Sequence, residues 1–377
     1  MTVQDILTRQ LKYTNALDWR NNGITGKGIK IWNGEANGGH GSNTRAVLEQ
    51  VAPEAIILSN SVGFRTRGDK LIDGAVFVNY PTLSDRIPMN EFLDIEQPCL
   101  LSQSEVGGNR AAEYVDYCKK IVKDYNLKIF NCEGNEGDDD DHETVSTSWP
   151  IEVCNVIGAL DYMANGEVKR AGYSSVGADI DFCQFTSWFN GTSFATPFTT
   201  AMVALIYQRY GEMGIEETYQ YLKMISDDLG AQNHDIYYGW GQPILPQWDK
   251  KYITMTTKTK TYYVNGKQYE MDTQPINKEG NVFVPIRVIS EALGAVVNWK
   301  FNTDKTINIT IDKGSTHIVL NTSDTLAFIN GKKVFLNFAP FIDSNNRTLV
   351  PIRFIAEGLN CKVDWVQPLA KVMILEK

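Results

Sequence analysis

The chain has 377 residues, 43% of them hydrophobic and 21% charged, which excludes a wholly disordered or collagen-like protein. This length is more than one hydrophobic core usually organises, so two domains are expected. The net charge of -9 argues against nucleic acid as a main partner, and no apolar run in the sequence is long enough to cross a membrane.

The charge divides the chain into two parts. Residues 255–377 carry 15 Lys+Arg and 11 Asp+Glu, a net of +4, which leaves -13 for the rest of the chain. Residues 241–261, with two prolines and a Lys/Thr-rich run, have the composition of a linker that leads into a new strand. We therefore predict a first domain over 1–248 and a second over 258–377.

The first part alternates β-rich apolar runs with helical patterns. This alternation predicts an α/β domain in which a mostly parallel sheet carries helices on both faces. The predicted helices are 109–125 and 194–210, the second ended by Gly211. The predicted buried strands are 29–32, 55–58, 75–78, 128–131 and 153–159.

Two features bear on the compartment in which the protein is made. The six cysteines form no Cys-x-x-Cys pair, and five of them lie in the first part, so we expect buried free thiols from a reducing compartment. The start, MTVQDILTRQLKYTNALDW, lacks the basic stretch, apolar core and cleavage site of a secretory signal, so synthesis in the cytoplasm is expected. Later release from the cell or assembly into a virion stays open.

The string NGTSFATP at 190–197 opens the predicted helix 194–210. A serine at the start of a helix has its own N–H among the unsatisfied donors, where the helix dipole favours negative charge, and this suits a nucleophile whose attack generates an oxyanion. Gly191 permits a tight turn just before the serine, and Pro197 is expected in the first turn, where a missing N–H costs little. Taken alone, the string could also be an ordinary Ser/Thr helix cap.

NGTSFATP resembles the nucleophile motif of subtilisin-like serine proteases, and three more segments follow that family's order. GKGIKIWNGE (26–35) resembles the strand that ends at the acidic triad member, and HGSNTRAVLEQVAPEAIIL (40–58) resembles the histidine helix with the next strand. KIFNCEGNEG (128–137) resembles the strand and loop with the oxyanion-hole asparagine, and weaker similarities lie at 148–177 and 228–243. The resemblance spans about residues 20–245 and implies a subtilisin-like fold.

The resemblance implies a serine endopeptidase that acts on protein or peptide substrates, and it assigns the family's site residues to matching positions of this sequence. Ser193 would be the nucleophile that forms an acyl-enzyme, and His40 its general base and later acid. Asn135 would donate its amide to the oxyanion beside the Ser193 N–H. Glu35 holds the position of the acidic triad member, which the family usually fills with aspartate.

Two departures from the family pattern leave an alternative open. Glu35 has one methylene more than aspartate, and only four residues separate it from His40, where the family has a longer excursion. The short turn with its two glycines could place this carboxylate correctly, or the acid has drifted and another carboxylate such as Glu49 serves. The alternative function is a catalytically impaired pseudo-protease that acts as a structural or adaptor protein of a surface or phage assembly.

One acidic run is a candidate for cation binding. Residues 138–141, flanked by Glu136 and Glu143, could hold calcium, but their spacing fits no EF-hand loop, and a solvated loop is the preferred interpretation. We therefore predict no metal site and no cofactor.

The second part contains an internal repeat with an offset of 66 residues. VPIRVISEALGAVVNW (284–299) recurs as VPIRFIAEGLNCKVDW (350–365), and each copy is preceded by a matching tetrapeptide, VNGK (264–267) or INGK (329–332). Asn-Gly between alternating apolar runs predicts a hairpin. Each copy is thus predicted to form a hairpin, an amphipathic helix opened by Pro-Ile-Arg, and a strand that ends at tryptophan.

This repeat resembles the copper amine oxidase N-terminal-like module, also called a stalk domain, of bacterial surface proteins. The resemblance covers nearly all of 258–377 and implies a smaller α+β domain for binding or spacing, with a cell-surface or phage-particle partner as an open option. Copper is not expected, because this part holds one histidine (His317) and one cysteine (Cys361). Arg287 and Arg353 could contact an anionic ligand, although arginines that lock the repeat are the preferred interpretation.

Overall fold

The computed structural model describes residues 3–35, 38–67, 70–77, 86–104, 112–137, 149–163 and 165–377. It consists of two compact units, Met1–Trp248 and Asp249–Lys377. The described helices of the first unit are α1 (Val3–Tyr13), α2 (Ala16–Asn21), α3 (Gly39–Val51), α4 (Met89–Glu96), α5 (Ala112–Tyr125), α6 (Thr192–Tyr210) and α7 (Ile215–Ile225), with a 3-10 turn at Ile151–Val153.

The described strands of the first unit are β1 (Lys30–Asn33), β2 (Ile56–Ser59), β3 (Ser61–Arg67), β4 (Lys70–Phe77), β5 (Arg86–Pro88), β6 (Leu100–Gln103), β7 (Lys128–Cys132), β8 (Cys154–Tyr162), β9 (Val168–Arg170), β10 (Phe182–Phe185), β11 (Ser226–Asp227) and β12 (Gln242–Pro243). Six of them form a parallel sheet in the order β10-β8-β7-β6-β1-β2, and β9 joins it antiparallel to β8. Strands β6, β7 and β10 are buried at every residue, as expected for strands that are covered on both faces.

Helix α6 forms the centre of the first unit. It packs against β1, β6, β7, β8 and β10 and against α3, and all its residues from Thr192 to Tyr207 are buried. A helix that is apolar on all sides is stable only inside a core, which explains why this sequence shows no amphipathic pattern. The start of α6 is thereby fixed relative to the ends of the strands.

The predicted α/β fold with a mostly parallel sheet is confirmed, with shifts of a few residues in β1, β2, β7 and β8. The strand predicted at 75–78 is wrong as part of this sheet: its residues up to Phe77 belong to β4, which pairs antiparallel with β3 and β5, and Val78 lies outside the described residues. The sequence analysis also missed β6, the strand between β1 and β7, because Leu-Leu-Ser-Gln contains only two apolar residues.

Helix ends differ from the predictions in one instructive way. The predicted helix 194–210 begins two residues earlier, at Thr192, so Pro197 is the sixth residue of α6 and lies beyond the first turn. The expectation that Pro197 removes only an unused donor is therefore wrong, because a proline at this depth removes a bond to the carbonyl four residues earlier, that of Ser193. The other predicted helix is seen from Ala112 to Tyr125, and 109–111 lie outside the described residues.

The second unit is built almost entirely from antiparallel strands. Its elements are β13 (Tyr252–Thr256), β14 (Thr261–Val264), β15 (Lys267–Glu270), β16 (Ile276–Lys278), β17 (Asn281–Pro285), α8 (Ile286–Ala292), β18 (Val296–Phe301), β19 (Ile307–Lys313), β20 (Thr316–Asn321), β21 (Leu326–Ile329), β22 (Lys332–Phe335), β23 (Phe341–Ile342), β24 (Thr348–Pro351), α9 (Ile352–Gly358), β25 (Cys361–Val366) and β26 (Lys371–Glu376), with a 3-10 turn at Gln367–Leu369. Strand β13 lies inside the segment 241–261 that the sequence suggested as a linker.

The two copies of the repeat exchange strands. One five-stranded sheet has the order β15-β14-β13-β26-β25 and the other β18-β19-β20-β21-β22, so each sheet combines strands from both copies. Both predicted hairpins are confirmed: Asn265-Gly266 and Asn330-Gly331 have positive φ at both central residues, as a type I′ turn requires. The hydrophobic core of the unit is also shared, since it joins Ile289 of α8 to Ile355 of α9.

The cysteines of both units are free thiols, and five of them are buried, while Cys99 is partly exposed. Within the described ranges, no helix is both long enough and apolar enough to span a membrane.

Candidate active site

Three neighbouring strands of the parallel sheet deliver side chains to one edge. Glu35 follows β1 by two residues, Ser104 follows β6 directly, and Asn135 follows β7 by three residues. In open parallel sheets, this carboxyl edge is where functional side chains collect. Helix α6 begins at the same place, with Ser193 as its second residue.

Glu35 and His40 are in direct contact. Glu35 Oε2 lies 2.6 Å from His40 Nδ1, and since a carboxylate accepts, Nδ1 carries the shared proton. The Glu35 side chain is 7% exposed and that of His40 is 46% exposed. A buried carboxylate thus holds the Nδ1 side of a solvent-accessible imidazole. The other carboxylate oxygen, Glu35 Oε1, has no hydrogen bond to the rest of the described chain.

The short turn between β1 and α3 makes this contact possible. Gly38 and Gly39 adopt φ values of 132° and 49°, which few other residues tolerate. A Cβ at Gly34 would lie 2.0 Å from Gln103 Oε1, so any other residue at this position would force the Gln103 amide to move where β1 passes β6. Asn33 then joins the strand to the helix, because its amide donates to the Gly41 carbonyl at 3.1 Å.

Ser193 is buried at the start of α6, with 8% of its surface exposed. As the second residue of the helix, it has a main-chain N–H without an intrahelical acceptor. Its hydroxyl donates to the main-chain carbonyl of Ser104 at 3.0 Å. The next residue, Phe194, packs against the imidazole of His40, with ring centroids 5.2 Å apart, so the histidine and the start of α6 are neighbours.

Asn135 is anchored to the same helix start. Its Oδ1 accepts hydrogen bonds from the Thr192 N–H at 2.8 Å and from the Thr192 hydroxyl at 3.2 Å. These bonds fix the orientation of the amide, because the oxygen is engaged and the NH₂ group must point the other way. The structure therefore brings together Glu35 with His40, and Asn135 with the residue before Ser193.

The loop that carries Asn135 is clamped by two carboxyl–serine pairs. The Ser174 hydroxyl donates to Glu133, and the Ser175 hydroxyl donates to Glu136. The Glu136 N–H donates back to Ser175 Oγ at 3.1 Å. Glu133 is completely buried, and burial raises its pKa from 4.5 to about 8, against the opposing effects of the Ser174 hydrogen bond and the Arg170 charge.

Sequence reasoning missed Ser104, Glu133 and the pair Ser174–Ser175. Their only available signals were a polar residue directly after an unrecognised strand and a glutamate directly after a buried one. The alternative acid, Glu49, forms an ion pair with Arg45 on the exposed side of α3. The acidic run 138–141, Glu143 and His142 lie outside the described residues.

Within the described ranges, no cluster of three or more histidine, cysteine or carboxylate side chains could hold a metal ion. The second unit does not fit copper either, because its one imidazole, His317, is exposed and paired with Asp312 at 2.6 Å, and its one thiol, Cys361, is buried.

Comparison with known protein families gives two matches. Residues 27–241 match the subtilase family, and residues 222–308 and 263–374 match the copper amine oxidase N-terminal domain. A curated relative, an extracellular serine protease of Serratia marcescens, is 27% identical over 122 residues, which are 32% of this chain and 12% of that protein.

Similar solved structures include MycP1 from Mycobacterium smegmatis and a lanthipeptide protease. MycP1 is 15% identical with a TM-score of 0.44, and the match covers 62% of this chain and 82% of the MycP1 chain. The lanthipeptide protease is 15% identical with a TM-score of 0.44, and the match covers 63% of this chain and 93% of the protease chain. Since the subtilase match alone takes in more than half of the 377 residues, the chain belongs to the subtilase family, here joined to a copper amine oxidase N-terminal-like domain.

Proposed function

We propose that the first unit is a serine endopeptidase that cleaves protein or peptide substrates through an acyl-enzyme on Ser193. The observation that carries this proposal is the 2.6 Å contact between the buried Glu35 carboxylate and His40 Nδ1. It favours the tautomer in which Nδ1 carries the proton and the other ring nitrogen, Nε2, acts as the base. It also stabilises the imidazolium that forms when the proton arrives.

The nucleophile needs one rearrangement. The Ser193 hydroxyl donates to the Ser104 carbonyl, so the proton must be redirected to His40 before attack. We infer that the Ser193 side chain rotates to another staggered rotamer to make this change. Substrate binding at the carboxyl edge is expected to drive the rotation, because a peptide N–H can take the place of the hydroxyl at the Ser104 carbonyl.

Two hydrogen-bond donors can stabilise the negative charge on the oxygen of the tetrahedral intermediate. The Ser193 N–H is unsatisfied within the helix, and the helix dipole favours negative charge there. The Asn135 NH₂ is oriented by the bonds from Thr192 to its oxygen. Such preorganised donors act without reorganisation during the reaction, which is why they contribute strongly to acyl transfer.

The proposed reaction then follows acyl-transfer chemistry. Ser193 Oγ attacks the peptide carbonyl while His40 Nε2 takes its proton, and the imidazolium returns that proton to the leaving amine. Water attacks the resulting ester, with His40 again as base, and releases the second product. The Glu35 carboxylate neutralises the imidazolium in each step.

A second candidate function is a pseudo-protease that serves as an adaptor. One observation favours it: the Ser193 hydroxyl is engaged by a carbonyl, an arrangement that would keep the nucleophile idle if no substrate displaced it. The two candidates differ in a single property, Ser193-dependent turnover.

Hydrolysis of fluorescently labelled casein tests the proposal. The parent protein should release soluble fluorescence, Ser193→Ala should not, and Ser226→Ala, which changes another partly buried serine, should match the parent. Equal rates in the parent and Ser193→Ala would assign any hydrolysis to a contaminant and would leave the adaptor function as the better account.

A further inference from the structure

The second unit contains two cavities that are related by the repeat. The larger is lined by Pro285, Ile286 and Arg287 of the first copy, and the smaller by Pro351, Ile352 and Arg353 of the second. Each is completed by a strand with tryptophan, Trp299 or Trp365, and by a turn from the opposite copy, 346–348 or 280–282. The two cavities are therefore equivalent positions of one architecture.

The equivalent cavities differ tenfold in size. The first has a volume of about 650 Å³, within the range of roughly 300–1,000 Å³ that ligand sites occupy, and the second only about 60 Å³. Since both copies have the same order of elements, we compare the side chains that line the two cavities. One copy of the repeat has an open cavity, and the other serves as its internal control.

The arginine that lines the small cavity is held by hydrogen bonds. Arg353 Nη1 donates to Glu357 at 3.2 Å and to the Val363 carbonyl at 3.0 Å, so this guanidinium is tied to its own helix and to β25. Its counterpart Arg287 forms no hydrogen bond or ion pair within the fully described second unit and lies 4.2 Å from the centre of the Trp299 ring. The glutamate that corresponds to Glu357 is Glu291, which lines the open cavity unpaired.

The open cavity combines an apolar floor with charges of both signs. Met271, Ile286 and Ile309 of its lining are buried aliphatic side chains. Trp299 is 51% exposed and Phe301 is 68% exposed, so aromatic surface is available at its side. Among the charged residues of its lining, Arg287 has no carboxylate partner within the described chain, and Glu270 and Glu291 have no cationic partner there. Glu270 accepts a hydrogen bond from the Thr261 hydroxyl at 2.6 Å, and Asp272 pairs with Arg347.

We propose that this cavity, between α8, β18 and the turn 346–348, is a docking site for a polypeptide segment that presents one large apolar side chain beside charged groups of both signs. An apolar anchor gains by leaving water for the aliphatic floor, and anchors of this kind dominate protein–peptide affinity. Arg287 suits a carboxylate of the segment, and Glu291 a basic group.

A glycan fits less well. Exposed tryptophan can stack on a sugar ring, but sugar hydroxyls that face a buried aliphatic floor would lose their hydrogen bonds to water without replacement. The docking proposal goes beyond the proposed peptidase activity, because it concerns binding by the second unit and can be tested in a protein that does not cleave.

The test uses the whole 377-residue chain with Ser193→Ala, so that no peptide is cleaved. This protein is incubated with overlapping β-casein peptides that are immobilised as an array on cellulose. Each peptide has about 12 residues and is about 40 Å long when extended. Bound peptides should contain a large apolar residue with both a basic and an acidic residue nearby. Adding Trp299→Ala should reduce their signal about 10-fold, the size expected when an anchor contact is lost, and the matched change Trp365→Ala should leave it within about twofold.

Charge reversal gives an independent readout. Arg287 is exposed and has no hydrogen-bond or ion-pair partner in the fully described second unit, so Arg287→Glu should leave that unit folded while it weakens binding of the selected peptides and shifts the preference away from their carboxylates. Array signals that are equally reduced by Trp299→Ala and Trp365→Ala, or by neither, would overturn the proposal. Binding of chitohexaose that depends on Trp299, with no Trp299-dependent peptide, would assign the cavity to a glycan instead.

Discussion

Glu35 Oε2 lies 2.6 Å from His40 Nδ1 although only four residues separate the two in the chain. We infer that the short connection and the longer acid compensate each other. Helix α3 begins at Gly39, six positions after β1 ends at Asn33, and the extra methylene of glutamate would span what remains of the distance. The departure from the usual aspartate is therefore consistent with a working acid–histidine pair.

The Glu35→Gln substitution should abolish most of the activity. Glutamine cannot neutralise the imidazolium and can hold His40 in the wrong tautomer, a change that costs about 10⁴-fold in kcat in a well-characterised triad. Steady-state hydrolysis of a peptide substrate measures this loss. Glu35→Asp is the control, since it keeps the charge but withdraws the carboxylate by about 1.5 Å, one C–C bond, and should fall between the parent and Glu35→Gln. Aspartate that outperforms glutamate would show that the turn is not matched to the longer side chain.

Asn135→Asp separates the structural role of Asn135 from its proposed catalytic role. Aspartate keeps the oxygen that accepts from the Thr192 N–H, but it replaces the NH₂ donor by a second oxygen. If the amide stabilises the oxyanion, kcat should fall by about 10²–10³-fold with little change in KM. An unchanged unfolding temperature would show that the helix start is intact. A rise in KM at constant kcat would argue that Asn135 contacts the substrate only in the ground state.

Glu133 should make the stability of the protein depend on pH. Its pKa is raised from 4.5 to about 8 in the folded state, so the folded protein holds a proton that the unfolded chain releases between these values. Stability relative to Glu133→Gln should therefore fall as the pH rises from about 4.5 to about 8, by about 1.4 kcal/mol per pH unit, and level off above that range. Urea unfolding of both proteins at several pH values measures the difference. Parallel curves would mean that Glu133 is ionised throughout.

The sequence predicted those elements whose own residues have the composition and pattern of the structure they form. The apolar runs of β1, β2, β7 and β8 and both Asn-Gly hairpins were visible, because strand burial and turn chemistry are local properties. Strand β6 was not, since its burial comes from neighbours on both sides rather than from its own composition. The contact between Ser104 and Ser193 could not be predicted either, because Ser104 directly follows this strand.

Long-range pairing accounts for what else was missed. Glu133 meets Ser174 across 41 positions of the chain, and no local pattern announces that contact. The exchange of strands between the two copies of the repeat was equally hidden, because each copy has the same local pattern whichever sheet its strands join. The cavities between the copies could only be compared once this exchange was known.

The most direct test of the central claim is covalent labelling with a fluorophosphonate, located by mass spectrometry of the digested protein. The account predicts one adduct, on the peptide that contains Ser193, absent in Ser193→Ala and strongly slowed in His40→Ala and Glu35→Gln. Two results would contradict it: a folded parent protein that gains no adduct on Ser193, or a His40→Ala variant that is labelled as fast as the parent.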